Sequence, residues 1–541
     1  MNSVLNAMTR GGARTQNGAI SNAGSGNSVV DYFAKCGTYR SRDQVAVNAD
    51  MALAWAENPL HTLQVMFYNR AITRKAKDLY NTEPEMMRGQ GNKDEFIRTL
   101  KWLEENHPNT LYANLWAIPT FGCWKDFWYD SPSTGLYHYV DTKQVYRLIK
   151  SAMKHEYHVA LLAKYLPKIR SSSAVKNDRH RRLNAFAKGL CKYLKWTERD
   201  YRKFKSNPSY MAHQFQRDIS AANWTDIDWN MVPGKALFSL SSKAGKDGKT
   251  FIQRHGLEES YIKWLAKQPV AKFTGYPFEL LKAYNGNKTA SSKMTIDKQF
   301  EGLLEKARTD VNSSLFGKNV LCALDTSGSM ESAVDNSGTR AIDVCLSLGI
   351  YFASLNTGSF KDHVIMFDSK SELKKLTGTT FTQKVDVVNS WKTAWGSTNF
   401  QSVIDEIMRV RKSNPSIPVE DYPSIILCVS DIQFNATGNN TSNYEEAKIK
   451  FASVGLPCPT FIWWQCNSSY STQSNEVPST LDDAGTVLVS GFDGAVITSI
   501  LGGVDKKVVD EKTGEVRKLN PLEMMEEALN QSLLNKLVIS S

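Results

Sequence analysis

No stretch of the 541 residues approaches the roughly 20 uninterrupted apolar residues that a membrane-spanning helix requires. The longest candidate, around Ala341 to Ala353, is too short and is interrupted by Asp343. A secretory signal is missing too, because the opening MNSVLNAMTRGGARTQNGAISNAGSG is polar, rich in Gly, Asn and Ser, and has no apolar centre. A cytoplasmic setting is therefore expected, and Asn-x-Ser/Thr triplets such as Asn440-Thr441-Ser442 carry no weight in it. The eight cysteines form no CxxC pair and show no zinc-ligand spacing. Several, such as Cys322, Cys345 and Cys428, sit inside apolar runs, where a reduced thiol packs as a small hydrophobe. Phosphate-loop and dinucleotide signatures are absent; Gly89-Gln90-Gly91 before a helix matches neither. The nine histidines are scattered without a partner motif, and no carboxylate set is spaced for two metals. Catalysis is not expected.

What the sequence does contain is a folded composition and an uneven charge. Hydrophobic content of 41% and aromatic content of 11% describe a packed protein, and 541 residues exceed one ordinary core. Residues 1–310 carry 47 Lys and Arg against 29 Asp and Glu, a net of +18, while the remainder carries 19 against 26, a net of −7. Most of the excess lies in residues 151–300, with 28 basic and 12 acidic side chains. A basic half joined to a mildly acidic one is the pattern expected when one half meets a polyanion.

Residues 1–28 lack hydrophobic periodicity and read as a flexible arm. From about Val30 to Asp310 the segments are helical, as in QVAVNADMALAWAEN, DEFIRTLKWLEEN and RRLNAFAKGLCKYL, with apolar residues three and four apart. Pro, Gly, Asn and Ser punctuate them every 10 to 25 residues, which suggests antiparallel helix pairs in an irregular solenoid. After Asn312 the pattern changes to apolar strands alternating with amphipathic helices, beginning with NVLCALD and AIDVCLSLGIYFASL. That alternation indicates a parallel sheet covered on both faces. The expected architecture is multidomain: a 1–28 arm, an all-α HEAT-like helical-repeat domain over 29–312, an α/β Rossmann-like domain over 313–505, and a C-terminal helix and tail over 506–541.

The strand NVLCALD ends in Asp325-Thr326-Ser327-Gly328-Ser329, where an α/β sheet presents ligands at the carboxyl ends of its strands. One carboxylate and two hydroxyls there suit a hard cation such as Mg²⁺, which takes about six oxygen ligands and keeps several waters. A second loop supplies Gly396-Ser397-Thr398-Asn399, and a third supplies Asp431 after the strand SIILCVS. Alone, DxSxS is a common turn sequence. Together the three loops resemble the metal-ion-dependent adhesion site of von Willebrand A domains. By that resemblance Asp325, Ser327, Ser329 and Thr398 hold a divalent cation directly or through water. Asp431 anchors a water, and the sixth position takes an acidic group of a protein partner. Two departures stand out: GST where Gly-Gly-Thr is usual, and SDIQ where Thr-Asp-Gly is usual.

A helical-repeat half followed by such a module is the order of the Ro ribonucleoprotein family, a TROVE domain followed by a von Willebrand A domain. TQNGAISNAGSGNSVVDYFAKCG, LHTLQVMFYNR, MRGQGNKDEFIRTLKWLEENHP, LWAIPTFGCWKDFW, NWTDIDWNMVPGKAL and SGFDGAVITSIL resemble a Ro-like branch. AKDLYNTEPEMM stands out as an insertion. The resemblance implies binding of misfolded or small noncoding RNA. Two basic stretches fit that expectation. One contains Lys164, Lys168, Arg170, Lys176, Arg179, Arg181 and Arg182. The other contains Lys188, Lys192, Lys195, Arg199, Arg202, Lys203 and Lys205, interleaved with Tyr193, Trp196, Tyr201 and Phe204. Such cations neutralise phosphates, and exposed rings stack on bases. The sequence thus reads as a noncatalytic RNA-binding protein with a cation-dependent docking module. The competing reading is a protein-interaction scaffold whose basic half meets an acidic protein surface.

Overall fold

The computed structural model describes residues 14–39, 42–79, 83–128, 141–210, 218–219, 221–224, 227–309, 319–335, 337–357, 359–391, 396–438, 441–467, 477–510 and 514–540. The first thirteen residues of the expected arm and the expected boundary at 312/313 lie outside the described residues. The chain divides into two compact units, neither continuous in sequence. One comprises Met1–Ser41 and Pro233–Asn530, the other Arg42–Val232 and Gln531–Ser541. This departs from the sequential division read above: 233–309 group with the α/β sheet, and 531–541 with the helical unit.

In the helical unit most helices begin where a short polar side chain satisfies the free amides of the first turn. Asp43 caps Gln44–Glu57, and Asn58 ends that helix and caps Pro59–Arg70 through the His61 amide. Asn92 caps Lys93–Asn106, which buries Phe96, Ile97, Leu100, Trp102 and Leu103. The unit is not all-α. Strand β1 (Ile72–Ala76) pairs antiparallel with β2 (Glu85–Gln90), and the insertion-like AKDLYNTEPEMM supplies their connection. The basic Arg74, Lys75 and Lys77 hide the alternation that would mark a strand.

The last residues of the chain clamp this unit. Gln531 pairs with the Arg88 backbone in both directions, at 2.8 and 3.3 Å. Asn114 does the same with Val538, and Thr110 with Ser540. Lys536 bridges Asp78 and Glu85 at 2.9 and 2.6 Å.

The α/β unit is built on a six-stranded sheet of β3 (Val320–Asp325), β4 (His363–Phe367), β5 (Ser371–Lys375), β6 (Ile425–Ser430), β7 (Thr460–Gln465) and β8 (Thr486–Ser490), in the order β5-β4-β3-β6-β7-β8. All neighbours are parallel except the edge pair β4–β5. Strands β3, β6, β7 and β8 are buried at every residue, as expected of a sheet covered on both faces. The helix Ala341–Leu355 is buried at every position except Leu346. One side packs on β3, and the other is covered by Pro277–Gly286 and Ala290–Thr309. That extra layer explains both the long apolar run and the grouping of 233–309 with the sheet. A small hairpin, β9 (Lys507–Val509) with β10 (Val516–Lys518), and the helix Pro521–Leu529 complete the unit. Among the described residues no helix is long and apolar enough to cross a membrane.

Glu95 is fully buried and its carboxyl is pushed upward by burial, with Arg42 beside it holding it back. Arg42 also reaches Asp50 at 2.6 Å. Arg42→Ala would leave a buried carboxylate uncompensated, at a cost of about 3–5 kcal/mol. A urea midpoint unchanged from wild type would refute this assignment.

Candidate cation site at the carboxyl end of the sheet

The chain reverses its direction of winding between β3 and β6, since β4 lies on one side of β3 and β6 on the other. Ligands of open α/β sheets bind in the crevice at such a switch point. Asp325 closes β3 and Asp431 follows β6, so both carboxylates stand at that crevice. They are 0% and 2% exposed. Asp325 accepts hydrogen bonds from the Ser430 hydroxyl (2.5 Å) and the Ser327 amide (2.9 Å). The Ser327 and Ser329 hydroxyls lie 3.2 Å apart. Asp431 Oδ1 accepts from the Gln433 amide at 3.2 Å, while its Oδ2 is buried without a hydrogen-bond partner.

The electrostatics disfavour two ionised carboxylates here. Burial first, and the neighbouring Asp431 charge second, raise the Asp325 carboxyl; the Ser430 and Ser327 hydrogen bonds only partly offset this. Burial likewise raises Asp431 against the pull of the Ser329 hydroxyl and the Gln433 amide. Among the described residues no Lys, Arg or His pairs with either carboxylate. Beneath them lie the buried thiols Cys345, Cys428 and Cys466, all raised well above the usual thiol range by burial. Cys345 Sγ contacts the Val429 and Asp325 carbonyls at 3.4 and 3.6 Å. They are a protonated, apolar floor rather than ligands.

Thr398, 1% exposed, is carried to the same edge by its own loop. Its amide donates to Asn435 Oδ1 at 3.1 Å, and its carbonyl accepts from the Asn435 amide at 2.8 Å. The two loops are thereby locked together. No group of three or more His, Cys, Asp or Glu gathers among the described residues, so an ion here would rely on hydroxyls beside the two carboxylates. That donor set suits Mg²⁺ rather than a thiolate-preferring metal.

Ile432, at the SDIQ departure, has φ +67°, a conformation that favours glycine. Its side chain is buried and its amide donates to Ser430 Oγ at 2.9 Å, which holds the turn that aims Asp431. Asn435 was not singled out in the sequence, and Ser430 and Gln433 stood there only within SDIQ, with no role of their own. Asn17 was missed as well. Its side-chain amide donates to Thr398 Oγ1 at 3.3 Å and to the Gln433 carbonyl at 2.6 Å. The arm is thus docked where it is described, because its polar residues find backbone partners in the α/β unit.

Of the fourteen basic residues in the two stretches, eleven are exposed, and Arg170, Arg182 and Lys205 are half-buried. Lys168, Lys176, Lys192, Lys195, Arg199 and Lys203 form no ion pair among the described residues. Asp178 pairs with Arg181 and Arg182, and Glu198 with Lys188 and Arg202. Lys205 is different: its ammonium donates to the Ala163 and Leu166 carbonyls at 2.9 and 2.5 Å, capping the helix Glu156–Tyr165. Burial lowers it to about 8. Tyr201 is buried with its hydroxyl on the Pro167 carbonyl and serves the core, whereas Trp196 and Phe204 are half-buried and pack on each other.

Comparison with known proteins changes the family reading. Residues 319–529 match a family described as domain of unknown function DUF7788, and residues 15–129 match domain of unknown function DUF2828. The uncharacterized protein L728 of Acanthamoeba polyphaga mimivirus is 22% identical over 567 residues, covering 97% of this chain and 89% of that protein. Neither a TROVE nor a von Willebrand A family is among the matches, which overturns the Ro assignment. Domain order and short motifs misled because helical arrays and doubly wound sheets recur in unrelated families.

A carboxyl raised by folding favours the protonated folded state, so its stabilising effect is complete at low pH and is lost as pH rises through the raised pKa. In chelator, thermal stability should therefore fall as pH rises through that range, and added Mg²⁺ should restore more at pH 8 than at pH 6. At 100 times Kd the gain is about 2.7 kcal/mol. A Mg²⁺ shift in melting temperature that is absent, or equal at both pH values, would contradict the site.

Proposed function

We propose that this protein is a noncatalytic, cation-dependent binding protein: the α/β unit holds one divalent cation, and the helical unit offers a basic face to RNA. The observation that carries this reading is the buried Asp325–Asp431 pair without a protein cation. Burying two carboxylates together is costly unless a proton or metal neutralises them. Asp325, Ser327, Ser329 and Thr398 supply the oxygens, with Asp431 behind a water. A bound ion would leave a coordination position for a carboxylate of a protein partner. In fold, though not in family, we read the α/β unit as von Willebrand A-like and the helical unit as HEAT-like pairs. Among the described residues no histidine is among the groups that shift either carboxylate, which favours binding over hydrolysis.

The RNA part rests on Lys168, Lys176, Lys192, Lys195, Arg199 and Lys203, which are exposed and form no ion pair among the described residues. Lys205 is left out of that face because its ammonium is spent on a helix end.

Mg²⁺ calorimetry on the full chain should give one site that Asp325→Ala abolishes. A single-stranded RNA oligonucleotide should bind with a salt slope of about −0.7 per phosphate contact. Alanine at Lys192, Lys195 and Arg199 together should make that slope shallower. RNA binding that is absent or indifferent to salt would sink the RNA reading and leave the scaffold in its place.

A further inference from the structure

The turn Thr15–Ala19 is pressed onto the cation site by contacts that are specific along its length. It is closed by its own hydrogen bonds, Gly18 N to Thr15 O at 2.9 Å and Thr15 N to Ala19 O at 3.0 Å. Gly18 sits at φ +84°, which a side chain would strain. Thr15 Oγ1 donates to the Phe434 carbonyl at 2.5 Å, and the Gln16 amide to Gln433 Oε1 at 2.7 Å. Beyond the turn the segment runs on as irregular pairing, Gly18 with Asn435, Ile20 with Ser442 and Asn22 with Val477. Asn17, at the tip, is exposed, yet its amide spans Thr398 Oγ1 and the Gln433 carbonyl. It therefore bridges the two loops that carry Thr398 and Asp431.

We infer that the turn Thr15–Ala19 is a built-in occupant of the partner face of the cation site, that Asn17 is its contact residue, and that docking of this segment and cation binding are linked. This rests on the cation reading given above. The physical argument is one of charge and reach. Asn17 fixes the Thr398 hydroxyl and the Asp431 loop through one neutral side chain, so it preorganises two of the three loops. Being neutral, it is also a weaker companion to a cation than a carboxylate. An acidic side chain on an incoming extended segment would gain a charge interaction that Asn17 lacks, and would have to displace the turn. Linkage is reciprocal: whatever factor the docked turn adds to cation affinity, the cation adds to docking of the turn.

Mg²⁺ calorimetry on the full chain tests this with three variants whose folding is checked by circular dichroism. Asn17→Ala should weaken Mg²⁺ binding about tenfold, within the usual range of coupling. Thr15→Ala, which removes the bond to the Phe434 carbonyl and loosens the docked turn, should weaken it as well. Lys412→Ala, exposed in the last turn of the helix Gln401–Ser413 and outside the segment, should leave it unchanged. If Asn17→Ala binds Mg²⁺ as wild type does, the inference is wrong while the cation reading stands. If wild type takes up no Mg²⁺, both fall together.

Discussion

Two carboxylates share the dry end of a parallel sheet, and the arrangement of the α/β unit follows from that. Asp325 and Asp431 sit at the carboxyl ends of adjacent strands that are buried at every residue. In such a place an unpaired charge is costly, and two of like sign cost more. The groups that surround them are neutral donors: the Ser430 hydroxyl and the Ser327 amide on one carboxylate, the Gln433 amide on the other. These moderate the repulsion without cancelling it. What the fold leaves for neutralisation is a proton or a metal, and hydroxyl-rich surroundings suit a hard ion better than a thiolate-preferring one.

The rest of the unit holds that end of the sheet in register. The helix Ala341–Leu355 packs on β3 and lies under a further layer of helices, so the strand carrying Asp325 is fixed from behind. Cys345 on that helix reaches the backbone of both site strands, at the Asp325 and Val429 carbonyls. Ile432 adopts a backbone conformation suited to glycine and keeps its side chain buried, a local strain offset by packing. In the helical unit a comparable economy appears at the tail, where Gln531, Asn114 and Thr110 each pair with backbone as a neighbouring strand would.

Asp325, Ser327, Ser329, Thr398 and Asp431 were legible in the sequence because each sits in a short polar loop at the end of an apolar run or just before a helix, where the alternation of strand and helix fixes position. The hairpin β1–β2 was not legible, since its strands carry Arg74 and Lys75 and its pairing spans a connection that reads as an insertion. Lys205 looked like its neighbours in a basic stretch, but only the packing of Glu198–Lys205 against Glu156–Tyr165 places its ammonium on two carbonyls. The family assignment went astray for a related reason: domain order and composition are properties that many unrelated chains share.

By itself the sequence determined most element types, the sheet that alternates with helices, the uneven charge and the carboxylates and hydroxyls at strand ends, because these depend on local periodicity and residue chemistry. Tertiary structure decided which core each helix covers, which lysine is spent on a helix end and that Asn17 lies on Thr398, 381 positions away. Contacts of that kind come from loop closure and packing between distant segments, and no local pattern encodes the partner a polar side chain will find.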